Sequence, residues 1–124
     1  MSYHHKIQLT AVIVAPPDQA AEGERIFQSH APWMAATHHR AGDTALLSYS
    51  VSKTAELSNP WDLNSPLTGN TCFVLTEIYE TTAGVSDHFE QAAQSWKDFP
   101  AMGAWMQKCT VTFVSAAPIV NALW

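Results

Sequence analysis

From His5 to Ala15 the residues alternate, with Ile7, Leu9, Ala11 and Ile13 on one face and Gln8, Thr10, Val12 and Val14 on the other. A period of two belongs to a strand, and the apolar content of both faces predicts a first strand largely buried on both sides. Pro16-Pro17-Asp18 stops it and offers Asp18 as an N-cap, after which Ile26, Phe27, His30, Met34 and Thr37 recur at helical intervals. The spacing predicts a helix over residues 18–40, kinked or divided at Pro32, where an amide is missing, and ended by Gly42-Asp43. His38, His39 and Arg40 stand where positive charge suits a helix C-terminus.

Residues 44–53 alternate again, and their serines and terminal Lys53 suit a sheet edge. The third strand, 71–80, is more apolar and therefore central. A helical stripe follows, made of Val85, Phe89, Ala92, Ala93, Trp96 and Phe99, and Pro100 restarts a shorter helix carrying Met102, Trp105 and Met106. Residues 109–115 close the chain as a fourth strand. The order β-α-β-β-α-β predicts an α+β, ferredoxin-like fold, with both helices on one face of an antiparallel sheet ordered 4-1-3-2. With Gln8 and Glu77 taken to share the uncovered face, that face would hold Val12, Val14, Phe73, Leu75 and Tyr79. So apolar a face calls for a second copy, and two sheets face to face form a dimeric α+β barrel with a small apolar pocket inside. The connection at 54–70 is too long for a tight hairpin, and Trp61, Leu63 and Leu67 within it suggest a lid over a pocket mouth or an arm onto the partner.

At 124 residues and 47% hydrophobic composition the chain is expected to be one domain, 1–124, whose core is completed by dimerising. Its net charge of −5 would repel a phosphate backbone, which argues against nucleic acid as a partner. No apolar run reaches the roughly 18 residues of a membrane span, and the N-terminus lacks a signal-peptide pattern, so a soluble, cytoplasmic protein with no membrane partner is expected. Cys72 and Cys109 begin strands three and four, which strand one separates by about 9 to 10 Å, so two free thiols are expected.

The candidate chemistry lies where strand three runs into the second long helix. Glu77 is near the end of the strand, and His88, 88 − 77 = 11 residues later, lies in the first turns of the helix. The intervening turn folds the helix back over the sheet, so His88, Glu77 and Tyr79 are expected to line one cavity. Each also has a structural reading: Glu77 as a carboxylate bonded to a neighbouring strand, His88 as an edge histidine, Tyr79 and Tyr49 as caps of the barrel, and His30 as a buried, hydrogen-bonded histidine. Neither His4-His5, on opposite faces of a strand, nor His38-His39, about 100 degrees apart on a helix, makes a pincer, and no metal site is expected. There is no Gly-rich phosphate loop, no Gly-x-Ser-x-Gly and no Cys-x-x-Cys, so nucleotide cofactors and acyl-serine chemistry have no support.

The run Phe73-Val-Leu-Thr-Glu77-Ile-Tyr79, followed by Ala83, Gly84 and His88-Phe89, resembles the antibiotic biosynthesis monooxygenase family of dimeric α+β barrels. That family's pattern has a Glu, an aromatic two residues on, and a His eleven residues after the Glu; Tyr49 also sits where a tyrosine is common. Two features depart from it: Arg40-Ala-Gly-Asp43 replaces the usual Pro-Gly before strand two, and the 54–70 segment is long. The resemblance implies a homodimer that uses no cofactor to oxidise a small phenolic or enolisable compound. His88 or Glu77 would take a proton and Tyr79 or Tyr49 would orient the anion. Tyr49, Trp61, Phe73, Leu75 and His30 would bind substrate, with Trp61 closing the pocket. The same parts could serve an isomerase or cyclase, or a small-molecule-binding dimer without turnover. A haem-degrading role fits less well, because Gln8 and Tyr79 stand in place of that branch's Asn and Trp.

Overall fold

The computed structural model describes residues 2–124. Four strands, β1 (Ile7–Ala15), β2 (Leu46–Leu57), β3 (Leu67–Tyr79) and β4 (Thr110–Pro118), form one antiparallel sheet in the order β2-β3-β1-β4. A 3-10 turn (Pro17–Gln19) leads into α1 (Ala20–Thr37), and α2 (Thr82–Ser95) and α3 (Phe99–Met106) connect β3 to β4. This is the expected ferredoxin-like α+β topology, with both crossovers on one face. Cys72 and Cys109 are both free thiols.

The pairing register corrects the assignment of faces. Leu9 lies opposite Glu77, Ala11 opposite Leu75 and Ile13 opposite Phe73. Residues directly opposite each other share a face, so Glu77, Leu75, Phe73 and Tyr79 lie under the helices with Leu9 and Ile13, all buried. The uncovered face instead carries Thr10, Val12, Val14, Cys72, Val74 and Thr76, β-branched side chains with one thiol among them. The helix-side core is aromatic: Phe73 packs at a tilt against Phe27 and meets Trp105 edge to face, at ring-centroid distances of 5.7 and 5.4 Å. Trp105 also donates its indole N–H to the Gln19 carbonyl at 2.9 Å, tying α3 to the start of α1.

Several local expectations change. Helix α1 runs unbroken through Pro32. Pro32 and Gln28 both lie on the exposed side, where water can satisfy the Gln28 carbonyl that loses its helical partner. Asp18 falls inside the 3-10 turn and makes no capping bond; α1 starts after Gln19. Nearly half of the expected 54–70 loop is strand, since β2 continues to Leu57 and β3 begins at Leu67, which leaves residues 58–66 as the connection. Glu56 holds the two arms together by accepting hydrogen bonds from Thr68 and Asn70 at 2.8 and 3.0 Å.

The turn into α2 sets the position of the candidate chemistry. Thr81 caps the helix by accepting from the Ala83 N–H at 3.1 Å, and it donates its hydroxyl to the Asp43 carbonyl at 2.9 Å. Gly84 lets the first turn press onto the sheet: a Cβ there would meet the Tyr79 ring at 2.6 Å and the Thr44 carbonyl at 3.1 Å. Gly84→Ala is therefore expected to push α2 off Tyr79, at a cost of about 1 to 3 kcal/mol. Urea unfolding will measure it, and an unchanged midpoint would mean that this contact is not tight.

Candidate functional site

Five of the eight sequence candidates meet in one buried polar network beneath α1 and α2. Tyr79 donates its hydroxyl to Glu77 Oε1 at 2.5 Å, and His88 Nε2 lies 3.7 Å from the same oxygen. On the other side, His30 Nδ1 pairs with the Tyr49 hydroxyl at 2.8 Å. The rings of His30 and His88 meet edge to face, with centroids 5.9 Å apart. Glu77 is fully buried, and its Oε2 has no hydrogen-bond partner.

A sixth member, His38, was not singled out as a site residue. His38 Nε2 lies 2.9 Å from His88 Nδ1, and His38 Nδ1 lies 2.9 Å from Thr37 Oγ1. The signal was in the sequence: His30, Met34 and His38 are four residues apart and so share one helix face. The Thr37 hydroxyl has a single proton and gives it to the Trp33 carbonyl at 2.7 Å. It must therefore accept from His38 Nδ1–H, which leaves His38 Nε2 as an acceptor for His88 Nδ1–H. In the neutral ring the relay thus fixes His88 Nε2, 3.7 Å from Glu77 Oε1, as the unprotonated nitrogen.

Burial controls the charges. It pushes Glu77 up to about 7, against the opposing effect of the Tyr79 hydrogen bond. Burial, with smaller contributions from His38 and His30, lowers His88 to about 3; burial and then His38 lower His30 to about 4. His38 is lowered too, chiefly by burial. Burial raises both tyrosines well above the usual phenol range, the Glu77 carboxylate adding to the effect. The 3.7 Å approach of His88 to Glu77 is thus not an ion pair at neutral pH in the resting protein.

Next to this network is a cavity of about 380 Å³ between the sheet and α2 and α3. Leu9, Leu75, Phe89, Met102, Met106 and Phe113 supply much of its apolar wall, and His30 and His88 bring imidazoles to it. Glu77 and Tyr79 are not in its wall. The cavity lies on the helix side of the sheet, within a single chain. Tyr49 faces a separate groove with Met34, His38 and Leu46, and Phe73 lines another with Val51 and Lys53. Trp61 does not close the cavity: it is 96% exposed at the tip of the β2-β3 hairpin, because the strands on either side extend and carry it away from the helices.

No protein-family model matches the chain, and no curated protein does. Among solved structures, a candidate antibiotic biosynthesis monooxygenase from Caulobacter crescentus CB15 is similar at a TM-score of 0.51 and 18% identity. The likeness covers 93% of this chain and 92% of that one. The two chains share a fold. Among the described residues no helix is long and apolar enough to cross a membrane.

Proposed function

We propose that the protein is a cofactor-independent monooxygenase of a small, flat phenolic or enolisable compound. The observation that carries this reading is the lone pair of His88 Nε2, fixed by the Thr37-His38 relay next to an apolar cavity of about 380 Å³. That volume suits a ligand of a few fused rings, and apolar walls would exclude water around a developing anion. The similar Caulobacter protein, a candidate monooxygenase, supports the reaction class.

In this reading the substrate gives a proton to His88 Nε2. The carboxylate form of Glu77, 3.7 Å away, then faces an imidazolium instead of a neutral ring, and the new ion pair offsets the cost of placing positive charge in a dry site. Tyr79 keeps Glu77 Oε1 oriented through its hydrogen bond. The substrate carbanion passes electrons to O₂ and binds it as a peroxide at the same carbon. Loss of water then leaves a carbonyl, so a CH₂ group and O₂ become C=O and H₂O with no external reductant. Oxygen uptake with a panel of anthrone-like and enolisable phenols tests the proposal. Solvent deuterium entering the substrate without oxygen uptake would instead favour an isomerase or cyclase that uses the same base.

We further propose that the protein works as a homodimer through the uncovered sheet face. Val12 and Val114 are partly exposed there, and the hairpin arm presents Trp61, Leu63 and Leu67 to solvent. Trp61→Ala is expected to weaken the dimer by on the order of 1 to 3 kcal/mol. Sedimentation equilibrium will show this as a rise in the dissociation constant, and a monomeric wild type would remove the proposal.

A further inference from the structure

The sequence offers no metal pincer in its adjacent histidines, yet the fold brings three ligating side chains together from three separate elements. His30 from α1, Glu77 from β3 and His88 from α2 each offer one ligand atom, and these atoms all lie within 4.8 Å of one another. All three residues are buried. Glu77 Oε2, a carboxylate oxygen with no hydrogen-bond partner, is the kind of buried group that a cation would satisfy.

The surrounding bonds point the same way. Each histidine is tied back through one ring nitrogen, His88 Nδ1 to His38 and His30 Nδ1 to Tyr49. Metal-holding imidazoles are oriented in this manner, with the remote nitrogen bonded to an outer partner and the other nitrogen free for the ion. Ligand atoms around a tetrahedral zinc, with bonds of about 2.1 Å, sit roughly 3.4 Å apart. The His88 Nε2 to Glu77 Oε1 separation of 3.7 Å is already close to that, and the widest spacing in the cluster needs to contract by little more than an ångström.

We propose that His30, Glu77 and His88 form a three-ligand site for one divalent transition-metal ion of the zinc, cobalt and iron(II) class. Two imidazoles and a carboxylate suit that class better than calcium or magnesium, which prefer all-oxygen shells. The fourth position is left for water or a ligand entering from the cavity. Metal binding is independent of the oxygenase reading but competes with it, because the ion would occupy the same lone pair on His88 that takes the proton. Metal uptake and turnover can therefore succeed or fail separately.

The test is titration of chelator-treated full-length protein with Co²⁺, followed by visible absorption and by competition with Zn²⁺. One equivalent of cobalt is expected to give an intense d–d band that zinc abolishes. His88→Asn, Glu77→Gln and His30→Gln should each weaken binding by at least about tenfold, and Tyr49→Phe, which loses only an outer partner, by about tenfold. A His4→Asn, His5→Asn double variant removes the exposed histidine pair near the N-terminus and should bind as wild type does. Circular dichroism will check that each variant folds. Wild-type protein that takes up no cobalt would overturn the proposal whatever the variants do. So would binding unchanged in the folded His88 and Glu77 variants, or binding lost in the His4, His5 variant.

Discussion

His88→Ala is expected to lower turnover of a phenolic or enolisable substrate by about 10²-fold to 10⁴-fold, the range that a positioned general base supplies. An imidazole held at about 3 by burial would alone be a weak base. The proton affinity that matters during turnover is that of His88 together with Glu77, because the carboxylate turns from a neighbour of a neutral ring into the partner of an imidazolium. Glu77→Gln keeps the shape and an acceptor for Tyr79 but removes the charge, and it should lose turnover within the same range. A ligand that fills the apolar cavity should still bind both variants, since Leu9, Leu75, Phe89, Met102 and Met106, which make much of its apolar wall, are untouched. Steady-state oxygen uptake combined with equilibrium binding separates the two effects. Turnover that survives both substitutions would remove the pair from the mechanism.

The topology was legible because the order of elements allows few arrangements with right-handed crossovers. The register was not. Strands β1 and β3 are joined through α1 and β2, so no tight turn fixes which residues face each other, and a one-residue error moves Phe73, Leu75, Glu77 and Tyr79 to the wrong face. The polar run after Lys53 read as loop because it lacks an apolar face. It pairs nonetheless, since Glu56, Thr68 and Asn70 hold a hairpin that both faces leave in water.

The site was legible along the chain at Glu77, Tyr79 and His88, where a strand passes into a helix at Thr81 and Gly84. His30 and Tyr49 were nominated separately, and only the packing of α1 over the sheet makes them partners. His38 carries the clearest lesson. As a charge at a helix end it seemed ordinary, but four-residue spacing from Met34 places it on the buried face, where it fixes the tautomer of His88. As a closure of the pocket Trp61 misled for the opposite reason: its size argued for burial, while the strands on either side carry it into solvent.

Acidification is expected to destabilise the metal-free fold by a net amount on the order of 3 kcal/mol between pH 7 and pH 4, because buried histidines refuse protons that the unfolded chain accepts. His30 is lowered from 6.5 to about 4 and His88 from 6.5 to about 3, so their stabilisation is lost as pH falls below 6.5 toward those folded values. His38, lowered as well, acts in the same direction. Glu77 acts oppositely: raised from 4.5 to about 7, it stabilises most below 4.5 and loses that contribution as pH rises toward 7. From pH 6.5 down to 4.5 the two shifted histidines thus outweigh the one carboxylate by about one proton, or roughly 1.4 kcal/mol per pH unit. Urea unfolding at several pH values, with a chelator present, measures that slope. His88→Gln should nearly flatten it, since His30 and Glu77 then cancel, and Glu77→Gln should steepen it to about two protons. A wild-type slope of zero, or identical slopes in both variants, would mean that this histidine cluster is already hydrated or protonated in the folded protein.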